Sequence, residues 1–241
     1  MMKFFKQTLP FCALLLALYL LVSCEKMPLE REPLSAGFEY VPIEVGNYQI
    51  FSVKQTIYRI NETPLNLHYQ LKEVVHDSFK SEGGKTAYRL FRYRRSTPLQ
   101  NWALDSVFTA RVEQDHIVRN EHNIELVKLR FPLTEGKRWN GNIYNTLGVQ
   151  NYTIRDLNKP LSVNGTAYEK TLRVIAQEDS SKIDKKVLFE LYAHGTGLIY
   201  KKHEYLLYCN PDNPEQSDCF GKKIIESGII SEVILLESGK E

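Results

Sequence analysis

The sequence lacks the short signatures by which most enzymes can be read. Its six histidines, His68, His76, His116, His122, His194 and His203, form no His-x-x-x-His or His-Glu-x-x-His pair, the spacings that place zinc ligands on one helical face. No Gly-x-Ser-x-Gly marks a nucleophilic serine on a strand-to-helix turn. Gly195-Thr196-Gly197 has two glycines but no following helix and no adjacent Lys-Ser or Lys-Thr. It therefore reads as a bulge or tight bend rather than a phosphate cradle. The sequence accordingly points to no catalytic residue, no metal and no cofactor. Paired carboxylates on distant strands are left open, and no spacing selects a pair. An excess of one charge is also missing. Lys and Arg total 31 against 29 Asp and Glu, and Lys3 and Lys6 in the first 23 residues account for the whole surplus. A chain that is neutral beyond residue 23 has no general attraction for nucleic acid, which is excluded as a partner.

Long apolar runs are absent too, apart from Leu9 to Val22. That run is short of the ~20 residues needed to cross a bilayer as a helix. It follows a start that carries Lys3 and Lys6 and precedes Leu21-Val22-Ser23-Cys24. Basic start, apolar middle and small residue before the cut are the parts of an export signal. With the cut before a cysteine, the segment resembles the lipobox of bacterial lipoproteins. The resemblance implies cleavage after residue 23, a diacylglycerol thioether on Cys24 and an acyl group on its new amino terminus. Two or more chains anchor stably where a single one binds only marginally. The expected location is the cell envelope, lipid-anchored at the outer membrane, with the membrane as partner through Cys24. Residues 24–37, rich in proline and mixed charge, read as a tether. Residues 38–241 then read as one domain.

Cysteine is scarce: of four, Cys12 leaves with the signal and Cys24 is the lipid site. Cys209 and Cys219 remain, flanking a turn-rich loop with Pro211 and Pro214. Outside the cytoplasm this spacing reads as a disulfide, since neither a close Cys-x-x-Cys nor a loop histidine suggests metal. Asp212, Asn213, Glu215 and Asp218 in the loop are hard oxygen donors, but their spacing matches no known calcium loop and reads as a solvated turn.

What the body has in abundance is period two. Leu65, Leu67, Tyr69 and Leu71 alternate with Asn66, His68, Gln70 and Lys72. Trp102, Leu104, Phe108, Ala110 and Val112 share one parity, opposite Asn101, Asp105, Thr109, Arg111 and Glu113. Runs at Tyr168–Ala176, Val187–Ala193, Leu198–Tyr208, Lys222–Glu226 and Ile229–Leu236 continue the scheme. Turn signals stand between them, at Asn61–Pro64, Ser81–Gly84, Thr97-Pro98, Asn140-Gly141, Asn158–Pro160 and Asn164-Gly165. The pattern predicts an all-β fold of roughly a dozen antiparallel strands in hairpin succession, as a barrel or a sandwich. Ile229–Leu236 is apolar enough for a central closing strand.

Val41-Pro42-Ile43 followed by Gly46 echoes Phe131-Pro132-Leu133 followed by Gly136, ninety residues on. The echo marks either two half-domains or two similar strand-entry turns. The second copy, with Trp139, and the segment Tyr192–Tyr200 are similar to recurrent motifs of uncharacterised β-rich bacterial lipoproteins. That resemblance implies a β fold and no particular chemistry.

Neighbouring residues on a strand point to opposite faces, so His76-Asp77 and Asp115-His116 are not expected to act as base and orienting acid, and the histidines are expected on solvent faces. Arg89, Arg92, Arg94 and Arg95 interleave with aromatic residues. They are the candidate contacts for an anionic ligand, whether lipid, glycan or an envelope protein's carboxylates. The alternative is a charge-defended edge strand. The functional expectation is a lipid-anchored binding or accessory module, with a hydrolase of envelope polymers or glycans as the alternative. Cys24→Ala should leave the chain soluble or unprocessed instead of membrane-bound. Fractionation followed by immunoblotting checks this, and an unchanged membrane share would remove the lipid anchor.

Overall fold

A computed structural model describes residues 37–81, 84–211 and 218–241. The leader, Cys24 and residues 25–36 of the tether lie outside the described residues, as do Asp212, Asn213 and Glu215. Twelve strands form one antiparallel sheet: β1 (Asn47–Tyr58), β2 (Leu65–Lys80), β3 (Thr86–Arg95), β4 (Ala103–Val112), β5 (His116–Glu121) and β6 (Ile124–Arg130), then β7 (Arg138–Asn140), β8 (Asn151–Val163), β9 (Thr166–Ser180), β10 (Asp184–Ala193), β11 (Gly197–Tyr208) and β12 (Ile225–Lys240). Each strand pairs with its neighbours in sequence except β6 and β7, and β12 pairs with β1.

The remaining gap, between β6 and β7, is nearly closed. Val127 N–H donates to the Gly141 carbonyl at 2.9 Å, and the Trp139 indole N–H donates to the Val127 carbonyl at 2.9 Å. Trp139 stacks on Tyr152, with ring centroids 5.6 Å apart. Gly141 is required there, because a Cβ would fall 2.0 Å from the Tyr152 ring. The sheet is therefore a barrel, which decides between the two architectures the alternation allowed.

The two Pro-x-x-x-Gly turns are the same device. Gly46 and Gly136 both have positive φ, 90° and 77°. Their N–H groups donate to the neighbouring strand, at Val75 O (2.9 Å) and Ile154 O (3.0 Å). One turn opens β1 to β6 and the other opens β7 to β12. Ahead of the first, a short 3-10 turn at Phe38–Tyr40 packs against the core of the barrel. Tyr40, Phe131, Leu133, Trp139, Ile154, Leu172 and Tyr192 form the largest buried apolar cluster there.

Several segments depart from the sequence expectations. Lys222–Glu226 is not a separate strand: β12 begins at Ile225 and runs past Gly228, whose positive φ and absent Cβ admit the Tyr205 carbonyl. Asn158–Pro160 is not a hairpin but a kink inside β8, with positive φ at Asp156 and Asn158 and two interruptions of pairing with β9. In β4 the pairing slips at Asp105, so Tyr93 faces Leu104 while Arg92 faces Ser106. Such a bulge reverses parity beyond it. Phe108 is 3% exposed and inward, whereas Leu104 is 58% exposed and shares the outer face with Trp102.

A disulfide joins Cys209 to Cys219. Closing so short a loop restricts the unfolded chain by about 2–3 kcal/mol. For a domain of this size that corresponds to roughly 5–10 °C in Tm. Reduction of the native protein should lower the calorimetric midpoint by that amount. Free-thiol labelling of both cysteines before reduction would contradict it.

Candidate functional site

Twelve strands enclose more space than their inward side chains fill. The barrel contains a cavity of about 900 Å³. One wall is apolar, built from Phe51, Val53, Leu71, Leu90, Phe108 and Ile117. Another part of the lining carries charge, drawn from β2, β5, β6, β10 and β11.

At its centre is Glu190, 5% exposed. One of its oxygens accepts from Lys128 Nζ at 2.6 Å and lies 3.3 Å from Lys201 Nζ. The other accepts from the Tyr192 hydroxyl at 2.6 Å. Burial alone would raise this carboxyl, but the Lys128 and Lys201 ammonium groups outweigh it and hold it far below the usual carboxylate range. Lys128 is raised in turn, the Glu190 and Glu121 charges overcoming burial. Glu121 follows the same logic, with burial opposed by Lys128 and then Arg119, and lies at about 2. Burial pushes Tyr192 well above its ordinary value, and Glu190 adds to this.

Lys128 reaches this position through backbone geometry. Ile117 pairs with Leu129 and Val118 with Val127, leaving Lys128 as the extra residue of a bulge between two core residues. The bulge turns the side chain inward, where strict alternation would have sent it to solvent.

A second set joins the first from β2 and β5. Arg119 donates through both terminal nitrogens to Glu73, at 3.0 and 2.7 Å. Its Nε lies 3.1 Å from Glu121 without making a hydrogen bond. Arg92 sits beside them, its guanidinium 4.6 Å from the Phe108 ring centroid. The Arg92 Nε is buried and 3.6 Å from Glu73, too far for a hydrogen bond.

The four candidate arginines are divided by the sheet. Arg92 lines the cavity, and Arg94 packs 3.8 Å over the Tyr69 ring, Tyr69 itself being a cavity residue. Arg89 pairs with Asp77 at 2.8 Å on the outer face. Arg95 stacks 4.1 Å over Trp102 and donates to Gln70. Sequence reasoning did not select Glu73, Arg119, Glu121, Lys128, Glu190 or Lys201. A readable signal exists for two of them, since Lys128 and Glu190 are lone charges between apolar neighbours, Val127-Lys-Leu129 and Phe189-Glu-Leu191.

One expectation about histidine is overturned. Asp115 lies in the turn before β5 rather than on a strand, so it can fold back onto its neighbour. His116 Nδ1 is 2.6 Å from Asp115, and its Nε2 is 3.0 Å from the Tyr144 hydroxyl. Arg130 also engages Asp115 at 3.1 Å. This surface relay lines neither wall of the cavity. His68, His76 and His194 are exposed on the surface, whereas His122 and His203, although accessible, line the cavity and not a solvent face. His76 is itself a bulge residue, stacked on Phe91, and has no contact with Asp77.

No protein-family model and no curated protein matches the chain. Among solved structures it is similar to a chain from Parabacteroides distasonis, provisionally described as a lipoprotein. The two share 8% identity over 83% of this chain and 98% of that one, with a TM-score of 0.42.

Removing one partner of a buried ion pair strands the other. Lys128→Met should therefore cost about 3 kcal/mol, while the double variant Lys128→Met, Glu190→Leu should recover most of it. Urea melts of the three proteins measure this. A single variant as stable as the parent would show that the pair is not buried in solution.

Proposed function

We propose that this is a lipid-anchored envelope protein that binds a ligand inside its barrel and does no chemistry on it. The observation that carries the reading is the cavity of about 900 Å³ with one apolar and one charged wall. Its size lies within the range of sites that enclose small molecules, and such sites combine apolar surface with a few placed polar groups. The Cys24 motif supports export and anchoring toward the outer membrane, and the Cys209–Cys219 disulfide suits an oxidising compartment. The outer face of the sheet carries ion pairs such as Arg89–Asp77, Lys202–Glu232 and Arg173–Glu178. A barrel lying in the bilayer needs an apolar outer band instead, so acyl chains and not strands would hold this one.

The hydrolase reading has one point in its favour, since four carboxylates, Glu73, Asp105, Glu121 and Glu190, line the cavity. Glycosidic cleavage, however, needs one carboxyl kept protonated near neutral pH. Glu121 and Glu190 are shifted in the opposite direction, and Glu73 is held by two bonds from Arg119. These groups serve as counter-ions.

Native mass spectrometry of the mature chain carrying Cys24→Ala, exposed to an organic extract of bacterial envelope, tests the reading. One small-molecule adduct per chain is expected, and it should disappear in Val53→Trp, which fills the cavity from its apolar wall. Absence of an adduct, or an adduct untouched by Val53→Trp in a chain that melts cooperatively, would overturn it.

A further inference from the structure

We propose that Arg92 is the seat for a single negative charge, and that the cavity takes a one-chain amphiphile with an anionic head. The inference rests on the binding reading above and names its ligand class.

Charge balance is the first argument. Arg119, Lys128 and Lys201 stand against Glu73, Glu121 and Glu190, three cations and three carboxylates that satisfy one another. Arg92 is left over. Its approach to Glu73 is 3.6 Å at Nε, too long for a hydrogen bond, while Glu73 is already bound by both terminal nitrogens of Arg119. Asp105, the remaining carboxylate on the cavity wall, is exposed at the rim and accepts a hydrogen bond from Ser106 at 2.9 Å. Lys240, at the other limit of the cavity, pairs with Glu44 at 3.0 Å.

Geometry supplies the second. Phe108 covers one face of the Arg92 guanidinium and fixes its plane. Among the described residues the Arg92 guanidinium makes no hydrogen bond to a protein acceptor, and its Nε is buried without a partner. An arginine so held presents a planar, two-pronged donor edge, the geometry that grips a carboxylate or a similar oxyanion. Leu90 lies two residues away on the same face, and Leu71, Phe51 and Val53 continue the apolar wall. A head at Arg92 therefore leaves an attached chain against hydrocarbon. A short anion without a chain would leave that wall wet, and a neutral chain would leave Arg92 without an acceptor.

The test is calorimetric titration of the full mature chain carrying Cys24→Ala with dodecanoate, dodecanol and dodecyltrimethylammonium. Dodecanoate should bind most tightly, and each methylene added from octanoate upward should strengthen binding about fourfold until the wall is covered. Arg92→Gln should weaken dodecanoate about 10- to 100-fold and leave dodecanol unchanged, whereas Arg92→Lys should keep part of the preference. Arg89→Gln, on the outer face, should change neither. Equal affinities for acid and alcohol, insensitive to Arg92→Gln, would overturn the anionic seat while leaving the cavity a binding site. Preference for the ammonium compound would overturn it in the same way. If none of the three binds a chain that melts cooperatively, the ligand class is wrong, and the envelope-extract adduct then decides separately whether the cavity binds anything.

Discussion

Burying ions is what this barrel must solve. Each charge taken from water costs several kcal/mol even after relaxation. Six of them converge on one interior wall. The cost is offset because every carboxylate meets a cation within 3.3 Å, and Glu190 accepts hydrogen bonds on both oxygens. The same pairs that permit burial hold charged side chains on the lining of the cavity.

The backbone is bent to serve this arrangement. Bulges at His76, Asp105, Lys128, Ala176, Ile199 and Leu236 each add a residue to one strand of a pair. Bulges sharpen twist and re-aim side chains, which helps a twelve-stranded sheet close on itself. At Lys128 the effect is most direct: one unpaired residue delivers a cation to Glu190. Gln49 shows another economy, its amide donating at 3.0 Å to both Thr196 O and Leu198 O. That contact, with positive φ at Gly195 and Gly197, explains the two glycines as a tight bend between β10 and β11.

Much of the fold could be read from alternation and turn residues. Asn164-Gly165, with both φ values positive, is a two-residue hairpin of the expected kind. Ile229–Leu236 does close the sheet, lying between β1 and β11. Face assignment fails in β4, where a single residue is inserted. Leu104 was placed with Phe108 because nothing at Asp105 announces a bulge, and one residue reverses every later side chain. Asn158–Pro160 was read as a turn because Pro and Asn favour turns, although a strand beyond its short β7 partner also tolerates them. For the site, the alternation in β3 separated Arg92 from Arg89 and Arg95. The rest of the constellation comes from five strands, and which charges meet depends on barrel closure, which local pattern does not encode.

The buried glutamates allow the sharpest test. A carboxyl whose folded pKa is depressed binds fewer protons folded than unfolded. Its contribution to stability is complete above the unfolded value and is lost as pH falls through the folded one. For Glu121 that window runs from about 4.5 down to about 2. Carboxyl-carbon NMR of glutamate-labelled protein, with Glu121 and Glu190 assigned through their Gln variants, follows each group directly. The account predicts that both signals remain at the ionised position at pH 3.5, where the exposed glutamates are largely protonated. Titration of Glu121 and Glu190 together with the exposed carboxyls, at 4.5 or above, would contradict it.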